Sequence, residues 1–558
     1  MNMIRNISIL FLAGILFLAS CKKDLLDKKN PATISSDDVW KDAGLIGLYV
    51  NNLYTYIPGW DYNTYNNIAD EARSNYPGGP NSILIGEWNE TSNPLDNWSR
   101  SYQQIRVAND FFLNIETSPV SGDVKSKFVA EVKFLRALFY FNLVKRYGGV
   151  PLITTAQKLN DDLMVSRNTA DECFNFITAE LDAALPNLPL NADRGRITKG
   201  AALALKARTL LYQASPLFNS NNDTERWRKA AQAANAVVDL GKYDLFPNLK
   251  TLWLDKSATN VEIILEKQYH LPETSHGWDA MVKPVWLAKG DAGQCSPLQE
   301  LVNAFPMKNG KLINESGSGY DQTKPYIGRD DRFYSFIAYN QSKISGILAR
   351  PYPGAAPGQL FKEYALNIYK GGTDYDSIPP YTQYNTITGY YTVKATNPDN
   401  AVYSYDYGSE QPWIEFRYAE ILLDYAEAAN EADGPSALIY DALDKIRARA
   451  GIESKLVQNL SQTQMRNLIR NERYIELCFE GQRYWDLRRW KIADQILNGK
   501  KFTGVVITKN APNTFTYEYF PIDPQPLVFD AAKMYLMPIP KEELSKNSKL
   551  EQNPNWPK

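Results

Sequence analysis

Apolar positions recur at helical spacing along most of the chain. Residues 37–56, for example, carry Val39, Leu45, Leu48 and Leu53 on what would be one face of a helix. The same spacing predicts further helices over 98–116, 124–147, 170–185, 198–214, 224–240, 415–431, 436–450 and 463–492. The pattern therefore predicts a mainly α-helical protein.

The residues at the ends of these segments support the helix predictions. The 124–147 segment is followed by two glycines and then Pro151, which is how a helix commonly stops. Thr198 is a suitable N-cap for the 198–214 segment, and Pro216 lies beyond its end. Small residues that allow helices to approach closely lie at 201, 202, 204, 207 and 214. Successive helices of this length predict a tetratricopeptide-like helical-repeat scaffold.

The middle of the chain has a different pattern. Residues 261–265 (VEIIL) predict a strand, and the rest of 255–410 is rich in Gly, Pro, Asn and Tyr. A long loop-rich region inside a large domain is usually functional or forms a sub-lobe. We therefore divide the folded body into a helical-repeat region at 37–254, a loop-rich ligand-binding sub-lobe at 255–410 and a C-terminal helical region at 411–558.

The first residues predict export and a lipid anchor. Arg5 precedes an apolar run from Ile7 to Leu18, and Leu18-Ala19-Ser20-Cys21 resembles a bacterial lipobox. That resemblance implies removal of residues 1–20 and acylation of Cys21, with 21–36 as a polar tether. Acyl chains contribute about 0.8 kcal/mol of binding per buried CH₂, so they would anchor the protein firmly. A plain signal peptide with a chance cysteine is the alternative.

Composition excludes several classes of function. The formal net charge of −2 argues against a general nucleic-acid-binding protein. The three remaining cysteines, Cys173, Cys295 and Cys478, are odd in number and far apart, which argues against a disulfide framework. His270 and His276 are the only histidines, so zinc sites and histidine-based catalytic triads are hard to build.

Charged residues suggest catalysis or calcium binding as alternative functions. Asp70-Glu71 and Asp330-Asp331 are adjacent carboxylates, whereas a glycosidase needs two that oppose each other across a cleft. Asp321, Asp330 and Asp331 suggest calcium, but without a regular ligand spacing. Charged residues on the predicted helices are interpreted as ion pairs: Glu131, Arg136, Glu472, Arg473, Glu480, Arg483, Asp486 and Arg488. No cofactor, metal site or catalytic residue is predicted.

Several strings, in order along the chain, resemble the SusD/RagB lipoproteins of Bacteroidetes. The most extensive is AEVKFLRALFY at 130–140, which continues to RYGGVPL at 146–152. The others are DLLD at 24–27 with Pro31, the set Trp98, Tyr102, Ile105 and Asn109, RYAEILLDYAEA at 417–428, RNER at 470–473 with EGQRYWDLRR at 480–489, and LMPIP at 536–540 with QNPNW at 552–556.

This resemblance implies a fold of four tetratricopeptide-like helix pairs that support a loop-rich ligand-binding region. It also implies a lipid-anchored, surface-facing outer-membrane protein that binds oligo- or polysaccharide without catalysis. The implied partner is a SusC-like TonB-dependent transporter, to which the glycan is delivered. Capture of peptides, a siderophore or another small nutrient by the same fold remains open. So do a glycoside hydrolase and a purely structural partner of the transporter.

Two stretches are candidates for the glycan site, because Tyr and Trp cover the apolar faces of sugar rings and polar side chains bond the hydroxyls. The candidate residues are Arg73, Asn75, Tyr76 and Trp88 in the stretch 73–97, and Tyr269, Trp278 and Trp286 in the stretch 269–290. Each of these aromatic residues has packing as its alternative role. Packing is predicted for Trp98, Trp485, Trp490 and the tyrosines at 375, 381, 384, 390 and 391.

Overall fold

A computed structural model describes residues 36–60, 64–75, 81–158, 160–288, 292–348, 356–375, 385–400, 408–452 and 454–557. Cys21, Tyr76, Tyr381 and Tyr384 lie outside these ranges. Among the described helices, none is both long enough and apolar enough to cross a membrane.

Helices dominate the first part of the chain. They are α1 (Ser36–Val39), α2 (Ala43–Tyr54), α3 (Thr64–Asn67), then the short strand β1 (Ala72–Arg73), α4 (Asn81–Leu84), α5 (Trp98–Ile115), α6 (Gly122–Tyr147), α7 (Ala170–Ala184), α8 (Lys199–Ala214) and α9 (Thr224–Val238).

Short elements follow in the middle region. They are β2 (Ile263–Lys267), α10 (Trp278–Val282), β3 (Ser296–Pro297), α11 (Gln299–Ala304), α12 (Asp331–Phe336), β4 (Ile337–Ala338), β5 (Lys343–Ile347), β6 (Leu360–Ala365), β7 (Tyr391–Thr392) and β8 (Trp413–Arg417).

The last part of the chain is helical again except for one hairpin. Its elements are α13 (Tyr418–Asp433), α14 (Ala437–Arg449), α15 (Gln462–Glu476), α16 (Arg483–Arg489), α17 (Ala493–Leu497), β9 (Thr503–Ala511), β10 (Thr514–Pro521) and α18 (Lys541–Lys546).

The structure confirms the mainly helical fold, and the helices predicted from 98 to 240 form within two residues of their expected ends. The Thr198 side chain accepts a hydrogen bond from the backbone N–H of Ala201, as an N-cap should. The single helix predicted over 37–56 is instead two helices, because Asp42 caps a new start by accepting from the N–H of Leu45.

The helices form one continuous stack in space, although the middle region separates them in the sequence. Each helix from α5 to α9 packs against the next, and α9 then packs against α13, which also contacts α14 and α15. Strands β2 and β8 pair antiparallel, with Ile263 opposite Arg417 and Lys267 opposite Trp413. This two-stranded ribbon therefore brings the start and the end of the long middle region together beside the stack.

Two predicted helices in the last part of the chain are wrong in detail. Residues 415–417 belong to β8, so the helix expected from 415 begins at Tyr418. The helix expected over 463–492 breaks after Glu476 and restarts at Arg483. Phe479 and Gly481 in this break have φ angles of 63° and 69°, which a continuous right-handed helix does not allow.

Seven of the eight charged helix residues form ion pairs, mostly between elements that are distant in sequence. For Arg488 the prediction is wrong, because its guanidinium lies over the Tyr484 ring, 3.5 Å from the ring centre. Arg136 pairs with Glu180 at 2.6 Å, Arg483 pairs with Asp70 at 2.7 Å, and Glu131 pairs with Arg196. These contacts fix segments against one another in the interior, which same-helix pairs at the surface would not do.

Candidate ligand-binding groove

An open groove lies where the helical stack meets the chain that follows β2. Its volume is about 780 Å³. One wall is the end of α2 with Asn51 and Tyr54, the second is the loop before α8 with Arg194 and Arg196, and the third is the segment 267–275. We call this the scaffold groove.

Two arginine–carboxylate pairs form the polar floor of the scaffold groove. Arg194 donates two hydrogen bonds of 2.7 Å to the two carboxylate oxygens of Glu266, which is buried. Arg196 donates to buried Glu131 and, at 2.6 Å, to the amide oxygen of Asn51. Both arginine side chains are about a quarter exposed, and each is paired with a buried carboxylate.

Tyr54 belongs to the floor and has little free ring surface. Its hydroxyl donates to Glu131 at 2.9 Å and accepts from the N–H of Ile197 at 3.2 Å. The guanidinium of Arg196 lies 4.4 Å from the centre of its ring. Burial and the neighbouring Glu131 raise the pKa of Tyr54 well above its ordinary value, so its phenol keeps its proton.

Tyr269 lines the groove on the third wall. The ring is half-buried, and its hydroxyl accepts from the N–H of Trp60 at 3.4 Å. Its ring centre lies 4.8 Å from that of His276, at an interplanar angle of 73°. Burial lowers the pKa of His276 to about 4, so this supporting imidazole is neutral at physiological pH. Tyr269 is therefore held firmly at the groove by a buried aromatic cluster.

The structure brings one of the predicted glycan-binding residues, Tyr269, to this groove. Arg73 is buried, pairs with Asp523 at 2.9 Å and donates to the carbonyl of Ala69 at 2.6 Å. The half-buried Asn75 donates to the carbonyls of Ala292 and Asn385, at 2.7 and 2.9 Å. Both side chains therefore make structural contacts, because they donate hydrogen bonds to backbone carbonyls of neighbouring segments.

The three predicted tryptophans lie in the interior. Trp88 packs against Trp556 at 4.8 Å, Trp278 stacks on Trp60 at 4.7 Å, and the Trp286 indole N–H donates to the carbonyl of Thr373 at 3.1 Å. Each is at most 4% exposed, so none offers a ring face to a sugar in this arrangement. Trp98, Trp485, Trp490, Tyr390 and Tyr391 are buried too, and for these residues packing was predicted.

Comparison with known proteins identifies the family. The SusD family model matches residues 261–556, and a second model, described as starch-binding associating with outer membrane, matches residues 24–211. The chain belongs to the SusD family. Membership supports a carbohydrate-binding role and association with the outer membrane.

SusD-like proteins of several bacteria are similar over nearly the whole chain. A SusD-like protein from Bacteroides fragilis is 30% identical, with a TM-score of 0.78, and the match covers 95% of this chain and all of that one. A SusD-like carbohydrate-binding protein from the same species is 24% identical, with a TM-score of 0.74, over 92% of this chain and all of that one. SusD-like protein P2 of Formosa agariphila is 25% identical over 87% of this chain and 85% of its own length.

Most of the scaffold groove was missed by sequence reasoning. Asn51, Tyr54, Arg194, Arg196 and Gln268 line it, yet they come from three segments that carry no common motif. The one local signal is Arg194-Gly195-Arg196 in a polar loop between two predicted helices. The groove combines an aromatic ring with amide, guanidinium and hydroxyl groups, which is the set of groups that suits a sugar chain.

The carboxylates considered as catalytic or calcium-binding groups have other partners. Asp330 caps α12 and pairs with Arg332 at 2.7 Å, and neither side chain is exposed. The Asp321 side chain accepts from the N–H of Thr323 at 2.8 Å. Within the described ranges, no group of three or more His, Cys, Asp or Glu residues is arranged to hold a metal ion.

Proposed function

We propose that this SusD-family protein captures oligosaccharide chains in the scaffold groove and passes them to a SusC-like TonB-dependent transporter. It acts without catalysis, from the cell surface, where acyl chains on Cys21 anchor it to the outer membrane. Residues 1–20 are the signal peptide that is removed, and 21–36 form the tether. Polysaccharide is therefore the source of the ligand, and the transporter is its destination.

The position of Tyr269 is the observation that carries this proposal. This tyrosine, supported by His276 and Trp60, lines an open groove of about 780 Å³ together with the exposed Asn51 and the two arginines. A sugar ring can rest against the aromatic ring while its hydroxyls bond the polar groups. The groove is open, so a long chain can enter and leave without unfolding the protein.

Two carboxylates line the groove, the buried Glu266 and the exposed Glu273, and the absence of catalysis is supported by the partners of Glu266. Glu266 accepts both hydrogen bonds from Arg194 and a further one of 3.1 Å from Gln268. Both carboxylate oxygens of Glu266 are therefore occupied by protein donors, whereas the general acid of a glycosidase must reach the glycosidic oxygen of the substrate.

Affinity electrophoresis of the mature lipoprotein in detergent, through gels that contain starch, laminarin, xylan, pectin, alginate or mucin glycans, tests the proposal. We expect retardation by one glycan and about five-fold weaker binding or worse for Tyr269→Ala, because stacking energy is lost. Gln268→Ala should weaken binding less. The matched control is Asn314→Ala, an exposed residue outside the groove.

Each of the other outcomes contradicts a different part of the proposal. Retardation that is unchanged in both Tyr269→Ala and Gln268→Ala contradicts the groove as the site. Free migration of the wild type in every gel contradicts glycan capture and favours peptide or another small nutrient. Release of reducing ends from any of the polysaccharides contradicts the absence of catalysis.

Lipid attachment and the transporter partnership need a separate test. We expect labelled palmitate to be incorporated into the wild type but not into Cys21→Ala, and the variant to leave the membrane fraction. We also expect the wild type to co-purify with a TonB-dependent transporter from solubilised outer membranes. Label that persists in Cys21→Ala contradicts the assignment of the acylated cysteine.

A further inference from the structure

A second aromatic surface lies far along the chain from the scaffold groove. On the hairpin β9–β10, residues 515, 517 and 519 point to the same face, because side chains alternate along a strand. On the same face, Ile507 opposite Tyr517 and Val505 opposite Tyr519 are fully buried, whereas Lys509 opposite Phe515 is exposed. The aromatic residues that gather on this face and beside it are Tyr320, Tyr334, Tyr339, Tyr369, Phe515, Tyr517 and Tyr519, which we call the tyrosine row.

Buried neighbours hold the tyrosine row in place. The ring of buried Tyr326 lies 4.6 Å from Tyr339 and 5.5 Å from Tyr517, measured between ring centres. The Tyr334 hydroxyl donates to the carbonyl of Tyr326 at 2.8 Å. Little side-chain freedom remains to be lost when a ligand binds, which favours binding.

The row continues to both ends of β10. Near the hairpin tip, the Phe515 and Tyr369 rings are 5.7 Å apart, and the ammonium of Lys509 lies 5.1 Å from the centre of the Tyr369 ring. Near the other end, Tyr519 is 47% exposed and interacts with the half-buried Tyr320. From residue 515 to 519 the strand advances about 14 Å, which is long enough to contact more than one sugar ring.

The row differs from an ordinary packed core in the exposure of its members. All seven side chains are half-buried or exposed, whereas their supporting residues Tyr326, Phe333, Val505 and Ile507 are buried. Large aromatic rings that are held rigidly and remain open to solvent are typical of binding surfaces.

We propose that the tyrosine row is a second carbohydrate-binding surface, on which a polysaccharide chain rests by stacking of its sugar rings. This inference rests on the proposed function, because it assumes that the ligand is a glycan. The row shares no lining residue with the scaffold groove, so the two surfaces act as separate contact points. Two contact points raise the avidity for long chains relative to short oligosaccharides.

The phenols suit this ligand chemically. Each tyrosine offers an apolar ring and a hydroxyl that both donates and accepts hydrogen bonds. Burial raises the pKa of Tyr339 to about 12 and also raises that of Tyr517, so these phenols keep their protons at physiological pH.

The test compares variants of the mature lipoprotein in gels containing the polysaccharide that retards the wild type, and in calorimetry with an oligosaccharide from it. We expect Tyr519→Ala and Tyr320→Ala each to weaken polysaccharide retention about five-fold. The matched control Glu518→Gln lies on the opposite face of the same strand and is exposed, so it should behave as wild type. The Tyr269→Ala variant should still be retained weakly by the polysaccharide. The double variant with Tyr269→Ala and Tyr519→Ala should lose this remaining retention.

Hydroxyl-radical footprinting of the wild type provides a readout that no folding defect can imitate. Saturating polysaccharide should protect Tyr519, while the exposed Leu438 on α14 keeps its labelling. Wild-type retention in both Tyr519→Ala and Tyr320→Ala, together with an unprotected Tyr519, overturns the inference and leaves the groove proposal intact. Loss of transporter co-purification in Tyr519→Ala with unchanged glycan retention also overturns it. Free migration of the wild type in every gel rejects the proposed function and this inference together.

Discussion

Several interior arginines in this protein pair with carboxylates that come from other parts of the chain. Arg417 donates to Glu262 and Glu476 at 2.8 Å each, and Arg332 donates to Glu472 at 2.6 Å. These side chains are at most 1% exposed. Burying one charge alone would cost several kcal/mol, so each arginine is tolerated only because its partners are in place.

The substitution Glu476→Gln tests how much these buried ion pairs stabilise the fold. Glu476 is a suitable target because it pairs with Arg449 as well as with Arg417. Removing its charge leaves buried arginines short of a partner, so we expect a loss of about 3–5 kcal/mol in the free energy of unfolding at pH 7. Urea or thermal unfolding measures it. Glu542→Gln on exposed α18 is the control and should leave the unfolding curve unchanged. Equal stability of wild type and Glu476→Gln would contradict the structural role of the network.

The same variant has a characteristic pH dependence. The surrounding arginines hold the pKa of Glu476 well below its ordinary value of 4.5. The stability that its charge contributes is therefore complete above about pH 5 and is lost as the pH falls below 4.5. The difference in melting temperature between wild type and Glu476→Gln should shrink in that acidic range.

Asp374 should show the opposite pH dependence. Burial raises its pKa from 3.8 to about 6, although its carboxylate accepts from the Tyr364 hydroxyl at 2.7 Å and the Asn367 N–H at 2.8 Å. The folded state therefore holds a proton that the unfolded chain has released, and stability falls as the pH rises from 3.8 to 6. Asp374→Asn should match or exceed the wild-type melting temperature at pH 7. A lower melting temperature at pH 7 would contradict this.

Close packing between elements depends on small residues at the contact positions. Gly200 lies in the first turn of α8, and a Cβ atom added there would come within 2.0 Å of the Tyr243 hydroxyl oxygen. Gly122, the first residue of α6, has no such neighbour within 4 Å. The close approach of Tyr243 therefore requires a glycine at position 200, whereas no neighbouring atom requires one at position 122.

Gly200→Ala should destabilise the protein by about 1–3 kcal/mol through overpacking, although alanine favours a helix by about 1 kcal/mol over glycine. Gly122→Ala is the matched control and should be neutral or slightly stabilising. Chemical denaturation of both variants measures the difference. Combining Gly200→Ala with Tyr243→Ala should remove the clash, so that the double variant is no less stable than Tyr243→Ala alone. Destabilisation of equal size at both glycines would contradict the packing explanation.

At the scale of the whole molecule, the C-terminal tail closes over the N-terminal helices. The Asn553 side chain donates to the carbonyls of Tyr147 and Met537, at 2.9 and 2.6 Å. The Trp556 indole donates to the carbonyls of Lys533 and Leu536, and its ring covers Trp88. The first and last segments of the folded body are therefore parts of one core.

Trp88→Ala separates packing from ligand contact. We expect it to cost about 3–5 kcal/mol of unfolding free energy, as large-to-small changes in a core do. Glycan affinity, measured by affinity electrophoresis below the lowered melting temperature, should stay within two-fold of wild type. An unchanged melting temperature combined with a ten-fold loss of affinity would instead show that Trp88 contacts the glycan.

Local sequence predicted the helical stack well, because its signals act over a few residues. The Thr198 cap, the glycines after Tyr147 and the apolar spacing of 98–116 each act within one or two turns. The break between α15 and α16 was missed because its cause is distant. The chain turns there to bring Glu476 and Glu480 onto Arg417, which lies about sixty residues earlier.

The sequence by itself determined the helical elements, the charge balance that excludes a general nucleic-acid-binding protein, and the resemblance that led to the SusD family. Only the tertiary structure decided which aromatic rings face solvent. Trp88 is covered by a residue from the far end of the chain, whereas Tyr269 is left open between α2 and the loop before α8. The exposure of a side chain depends on neighbours hundreds of residues away, and composition or spacing along the chain does not contain that information.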